Sequence, residues 1–396
     1  RSPRAAQLNS VEKIEALDEY TVRFSLKHPQ GSFLTMVASP YNWIYPKHVL
    51  EERGDMTRVV VGTGPFKLKE YSRGVRWDMV KNPDYFVPGR PYLDGITRYI
   101  ISDNAAIFAA LRTHRVQLLT LQNHSIRPEE RAILQRESSQ VASRPGIIAP
   151  FRVFFNLTKP PFNDVRVRRA VDLVYDRQAS VKVVLHGEGE VGSYLQPGTG
   201  WEIPKEELLR RPGYRQPKDA DIAEAKKLLA EAGYPDGFKT RVLSRNEQRY
   251  MDNAVFLKNE LAKIGIDVTL DNREDAVFYA RSSAHDFALL NHAGGTPVAD
   301  PDGVIGDFFL KGQESNWAGY ENPRVEELFV KQLQTVNVEE RRKLLREIEN
   351  TLLDDVPATI YWWSHSYAFW WPEVRGWAPQ STMYLNHEYR DVWLAQ

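Results

Sequence analysis

The sequence predicts an α/β protein built as two lobes, with mixed sheets covered by helices, and three observations carry that expectation. The chain has 396 residues, more than one hydrophobic core usually serves. Some segments alternate apolar with polar residues, others repeat apolar residues at helical spacing, and the two kinds follow one another as strand, helix, strand. Pro- and Gly-rich punctuation separates them.

In chain order, residues 11–26 read as a strand pair in which Val22, Phe24 and Leu26 alternate with polar neighbours. Gly62-Thr-Gly-Pro65 is a turn, and Phe66-Lys-Leu-Lys69 alternates as a strand after it. Ile96–Ile101 is another strand. From Asp103, Ile107, Phe108 and Leu111 recur at helical spacing, and Val116–Leu121 then reads as a short strand. Phe151–Leu157 is an apolar run following Pro145-Gly146 and Pro150, so a lobe boundary is placed near residue 150. Ile222, Ala225, Leu228, Leu229 and Ala232 stripe a helix with Asp219 as its N-cap and Gly233 and Pro235 as its stop. Ala254, Leu257, Leu261 and Ile264 stripe a second helix, ended by Gly265, before the strand Ile266–Leu270. Val325, Leu328, Phe329 and Val336 mark a third helix, and Leu344, Leu345, Ile348 and Leu352 a fourth. Asp354-Asp-Val-Pro357 stops that helix ahead of the strand-like Ala358–Trp363.

Composition narrows the function. Lys plus Arg and Asp plus Glu number 52 each, a balance that argues against a general nucleic-acid or membrane-surface binder. The absence of Cys removes thiol nucleophiles, disulfides and thiolate metal sites. No apolar run approaches the ~20 residues that cross a bilayer. Arg1-Ser-Pro-Arg4 has no apolar core, so no export signal is read in this chain.

The search for chemistry finds little. Gly187-Glu-Gly-Glu-Val-Gly192 has dinucleotide-loop spacing, with Val181–Leu185 readable as a strand before it. Pro197, Gly198 and Gly200 follow, however, where a dinucleotide site needs a helix. Asp300-Pro-Asp302-Gly303 and Asp307 put three carboxylates in one expected loop, but the twelfth position counted from Asp300 is Lys311, which no calcium loop accommodates. Asp300 is left with two readings: a turn and cap residue, or a carboxylate that receives a cationic ligand group. Nine histidines show no metal spacing, and there is no Gly-x-Ser-x-Gly elbow. Neither an enzyme nor a cofactor is expected. Six of the ten tryptophans fall between Trp317 and Trp377; they read as core packing or as the lining of a partly apolar cleft.

Several segments together, in order along nearly the whole chain, resemble the extracellular solute-binding family 5, the dipeptide-, oligopeptide- and nickel-binding proteins of ABC importers. They are Gly62-Thr-Gly-Pro-Phe66, Asn82-Pro-Asp-Tyr85 with Tyr92-Leu-Asp94, Phe154-Phe-Asn156, and Pro161-Phe-Asn-Asp-Val-Arg-Val-Arg-Arg-Ala170. Asp176-Arg177, Gly233-Tyr-Pro-Asp-Gly237, Leu257–Val268 and Asn316-Trp-Ala-Gly-Tyr-Glu-Asn-Pro323 continue the series. The chain departs from the pattern at His292-Ala-Gly-Gly295, where the family usually has Trp-Gly, and at Thr113-His-Arg-Val-Gln117, where it usually has Gly-Glu-x-Asp.

The resemblance implies a type II periplasmic-binding-protein-like fold with a ligand cleft between lobes. Lobe I would be residues 1–150, completed by 365–396 and lacking the family's N-terminal part, and lobe II 151–364. It implies a periplasmic or lipid-anchored extracytoplasmic monomer that closes on a peptide or similar small ligand and hands it to an ABC permease in the membrane. By the same resemblance Asp300, with Asp302 as the alternative, would hold the ligand's cationic group, and Asn291, His292, Trp317, Tyr320 and Trp363 would line the cleft. The rival expectations are an extracytoplasmic peptide chaperone or sensor, and a hydrolase using the 300–307 carboxylates.

Overall fold

The computed structural model describes residues 8, 10–39, 42–56, 59–101, 103–120, 128–137, 141–295, 298–379 and 388–395. The termini on either side, including Arg1–Arg4, lie outside the described residues, as does Leu121.

The chain forms two compact units. One comprises Arg1–Ala38 with Ala149–Ser364, the other Ser39–Ile148 with His365–Gln396. The first 38 residues thus group with 149–364 and not with the expected lobe I. The tie is concrete: the Gly31 amide donates to the Leu333 carbonyl at 3.0 Å, at the end of the helix Pro323–Gln334.

A sheet runs in the order Asp267–Arg273, Lys239–Arg245, Leu289–Ala293, Ala142–Phe155, Ala358–Trp370; the first three strands and residues 149–155 and 358–364 of the last two belong to the larger unit. The first three are mutually parallel and connected through helices, and Leu289–Ala293 lies antiparallel to Ala142–Phe155. Register matters on this last pair, because it places His292 opposite Arg152 and Asn291 opposite Val153. Side chains alternate between faces with a period of two. Phe151, Val153 and Phe155 therefore join one core with Val167, Ala170, Val171, Ala225, Leu229, Leu257 and Leu261 from three covering helices. Each fully buried Val, Leu or Phe side chain in this set stabilises the fold by ~1.5–3 kcal/mol. Arg152 and Phe154 point the other way, and Phe154 packs its ring against Phe308, Phe309 and Trp317.

Local chemistry explains where the structure departs from the sequence reading. Val181–Leu185 is not a strand, because Asp176 caps a helix over Arg177–Val184 by accepting from the Ala179 amide at 2.9 Å. Gly189–Glu190 instead pairs with Trp363–Ser364, so no helix starts at Gly192. Asp219 is the first residue of its helix, with Lys218 at the cap position. The expected loop at 300–307 is a helix, Pro301–Phe308, with Asp300 as N-cap and Pro in the first turn.

The smaller unit holds an antiparallel sheet of Phe66–Ser72, Arg76–Lys81 and Gly95–Tyr99. Leu118–Leu119 pairs with Phe369–Trp370. Leu111, Leu134, Val141 and Phe369 form its core, and Asp103 caps the helix Asn104–Arg112. Among the described residues no helix is long and apolar enough to cross a membrane.

Candidate functional site

The seven residues singled out in the sequence all lie in the larger unit, and the structure sorts them into three surroundings. Asp300 and Asp302 belong to a closed ionic cluster. The Arg341 guanidinium donates to both Asp300 oxygens, at 2.6 and 3.0 Å, and to Asp302 at 3.0 Å. Gln332 donates to Asp302 at 2.7 Å and accepts from Arg341 Nε at 2.9 Å. Trp201 stacks under the guanidinium, 4.8 Å from ring centroid to Cζ. Burial, then the neighbouring Asp300 charge, pushes the Asp302 carboxyl up to about 6 against the pull of Arg341. Burial opposes the Arg341 charge, and the hydrogen bonds and charges of the two aspartates more than reverse that. Asp300 also caps its helix by accepting from the Asp302 amide at 3.0 Å. Beside it lies a shallow recess of about 10 Å³, room for about one water molecule, lined by Leu195, Gln196, Thr199, Pro301 and Val304. A cationic ligand group entering there would compete with Arg341 for the Asp300 carboxylate.

Asn291, Tyr320 and Trp363 are held by internal hydrogen bonds. Asn291 donates to Ser244 Oγ and the Tyr250 carbonyl and accepts from Asn253, all within 2.9 Å. Tyr320 donates to Asp355 at 2.6 Å. Trp363 donates to the Ser193 carbonyl at 2.8 Å. These three are not brought together with one another or with Asp300.

His292 and Trp317 do meet, with ring centroids 4.5 Å apart. Phe278 stacks on His292 at 5.4 Å, and Tyr279 and Tyr250 present their edges at 5.9 and 6.4 Å. Neither ring nitrogen of His292 has a hydrogen-bond partner. Burial, followed by the charges of Arg152 and Arg245, holds the imidazole well below its usual range, so it is neutral at physiological pH.

Sequence reasoning missed the neighbour on the next strand. Arg152 is fully buried, and its guanidinium lies 4.1 Å from the Phe308 ring centroid and 4.9 Å from that of Phe154. Its one hydrogen bond runs from Nη2 to the Gly294 carbonyl at 3.0 Å, while Nε and Nη1 have none. No carboxylate offsets its burial, which pulls the group down to about 9. The available signal was a charge inside a strand that is otherwise apolar, Phe151-Arg-Val-Phe-Phe155. Among the described residues no group of three or more His, Asp or Glu side chains could hold a metal ion.

Comparison with known proteins fits this geometry to a class. The sequence profile of the bacterial extracellular solute-binding proteins, family 5 Middle, matches residues 1–316. The glutathione-binding protein GsiB of Salmonella choleraesuis is 28% identical over 360 residues, covering 88% of this chain and 68% of that protein. The di/tripeptide-binding protein 1 of Pseudomonas aeruginosa is 28% identical over 375 residues, 88% of this chain and 65% of its own. Among solved structures, the periplasmic binding protein DppA of Helicobacter pylori, in complex with the peptide STSA, superposes with a TM-score of 0.83 at 25% identity, covering 99% of this chain and 75% of that one. The murein tripeptide binding protein MppA of Escherichia coli gives 0.85 at 19% identity, covering 100% and 80%. The fold is thus that of the type II periplasmic binding proteins, whose family members work in the periplasm or otherwise outside the cytoplasm. The chain belongs to the bacterial extracellular solute-binding proteins, family 5.

Proposed function

We propose that this protein captures a peptide or peptide-like solute outside the cytoplasm and presents it, chemically unchanged, to a membrane permease of an ABC importer. The observation that carries this reading is the family match over residues 1–316, in which two relatives at 28% identity are named for glutathione and for di- and tripeptides. The site supports it as well. Buried aromatic rings around His292 and Trp317 suit the apolar part of a small solute. The Asp300–Asp302–Arg341 cluster is a set of paired charges, with both carboxylates ion-paired to Arg341. Because the solute is delivered intact, the protein acts as a carrier and not as an enzyme, and it works as a monomer.

The test has two steps. Mass spectrometry of small molecules released on denaturing the freshly purified protein, against a buffer blank, should find a stoichiometric solute. Thermal unfolding with glutathione, the dipeptide Met-Leu and the tetrapeptide Ser-Thr-Ser-Ala should then raise the melting temperature with at least one, since a ligand at 100 times its Kd stabilises by about 2.7 kcal/mol. A protein that releases nothing and responds to none of the three would not be a peptide carrier.

A further inference from the structure

We infer that the solute this protein captures carries a carboxylate, and that Arg152, in its aromatic surroundings beside His292, is the residue that pairs with it. The inference rests on the capture reading above and deepens it by naming the anionic group and the side chain that meets it.

Three other arginines, Arg168, Arg177 and Arg341, are buried and ringed with acceptors. Arg168 donates to the carbonyls of Phe162, Asn163, Asp355 and Val356. Arg177 is paired with Asp172 and donates to the carbonyls of Ile360 and Gly213. Arg341 has two carboxylates and Gln332. A guanidinium carries five N–H donors, and one kept for structure is surrounded with acceptors in this way. Arg152 is left with a single carbonyl and two of its three nitrogens have none, whereas the half-buried Arg249 has one buried nitrogen, Nη1, without a partner.

Among the described residues the surroundings supply no further acceptor. The antiparallel neighbour is His292, whose nitrogens are themselves unpartnered. The rings beside the guanidinium belong to Phe308 and Phe154. Every Asp and Glu of the chain is among the described residues, and none of them hydrogen-bonds Arg152. Among the described residues nothing meets Nε or Nη1, which leaves them for a group the ligand brings.

The chemistry of that partner follows. A planar guanidinium fork matches a carboxylate in a bidentate pair, and low-dielectric aromatic walls strengthen it. His292 adds a neutral N–H that can donate to the same anion, while Trp317 and Phe278 flank it with apolar surface. Arg152 is fully buried and held by one hydrogen bond and the faces of Phe154 and Phe308, so a ligand carboxylate reaches it only by displacing part of this packing. Gly294 permits the close approach of the guanidinium to the strand: a Cβ there would lie 2.5 Å from Arg152 Nη2.

The experiment compares the whole purified chain with Arg152→Met and Arg152→Lys. Thermal unfolding is followed in sodium formate and in sodium chloride at equal ionic strength. Calorimetric titrations use glutathione and its diethyl ester, in which both carboxylates are blocked. In the absence of ligand, Arg152→Met should melt at or above the wild type, because an unpaired buried charge has been removed. Formate should raise the wild-type melting temperature more than chloride does, and that difference should vanish in Arg152→Met. Glutathione should bind Arg152→Met at least about ten-fold more weakly than wild type, and the diethyl ester should bind the wild type as weakly. Arg152→Lys keeps the charge but loses the fork, so it should fall between the two and serves as the readout if the Met variant does not fold.

An Arg152→Met protein that melts well below the wild type, with an unchanged formate effect, makes Arg152 a structural prop and overturns the inference. So does glutathione binding unaltered in either variant; in that case peptide capture stands and this site falls. If glutathione fails to bind the wild type while the formate effect depends on Arg152, the capture reading loses that probe and the carboxylate site stands.

Discussion

Two buried charged regions of the larger unit, built on neighbouring elements, have opposite electrostatic character. The Arg341 guanidinium is answered on every side, by two carboxylates, an amide and an indole face, and only Asp302 Oδ2 of the cluster is buried without a hydrogen-bond partner. Around Arg152 almost nothing is answered: one carbonyl serves a guanidinium whose neighbours are phenyl rings and a neutral imidazole. Both arginines are at most 5% exposed, so the difference does not come from solvent. The closed cluster fixes architecture, because its members cap the helix Pro301–Phe308 and tie it to the helix Val338–Asp355. The open one stores an unmet need, which is what a binding site must do before its ligand arrives.

The largest expected effect is on the closed side. Arg341→Met should destabilise the protein by roughly 3–5 kcal/mol, since it strands Asp300 and Asp302 together in a buried site. Denaturant unfolding of the variant beside Arg152→Met measures the contrast directly, with the first losing heavily and the second not. Equal losses would erase the distinction between the two regions.

A second closed site sharpens the same point through pH. Glu349 is fully buried and accepts the amides of Leu195 at 3.2 Å and Ile203 at 3.0 Å. Burial outweighs those hydrogen bonds and pushes its carboxyl from the ordinary 4.5 up to about 7. In the folded state it keeps a proton that the unfolded chain has already released. Its contribution is therefore whole below about pH 4.5 and is lost as pH rises through about 7, a fall of roughly 3 kcal/mol. Glu349→Gln stays neutral throughout and keeps one acceptor, so its stability should not show that decline between those pH values. A wild type and variant with parallel pH profiles would mean that the carboxylate is ionised and content in the fold.

The sequence made the elements legible more readily than it did the site. The end of the strand Ala142–Phe155 stood out by the apolar run from Phe151, and the helices at 219–231 and 338–355 by their stripes. Asp300 was readable as a cap or as a ligand carboxylate, but its bond to Arg341 forms across 41 residues, beyond any local pattern. His292 was singled out from a departure in its motif, whereas its meaning depends on Arg152, which only strand register sets beside it. That Arg152 lacks a carboxylate is a statement about every surrounding element at once, and no window of sequence contains it.

The smallest predicted effect tests how finely the open region is shaped. Gly294 does not occupy a left-handed conformation, so alanine is acceptable to its backbone. The added Cβ would meet Arg152 Nη2 at 2.5 Å and the Phe308 Cζ at 2.8 Å. The first contact is the mobile end of a side chain held by one bond, so the guanidinium yields; the ring is packed and yields less. Overpacking of this kind should cost about 1 kcal/mol of stability, well short of the Arg341→Met loss. The same shift moves the Arg152 fork off its position, so Gly294→Ala should weaken glutathione binding by several-fold while barely altering the melting temperature of the ligand-free protein. A variant that loses stability without losing affinity would mean that the glycine serves Phe308 packing, and that the guanidinium is free to bind from wherever it is pushed.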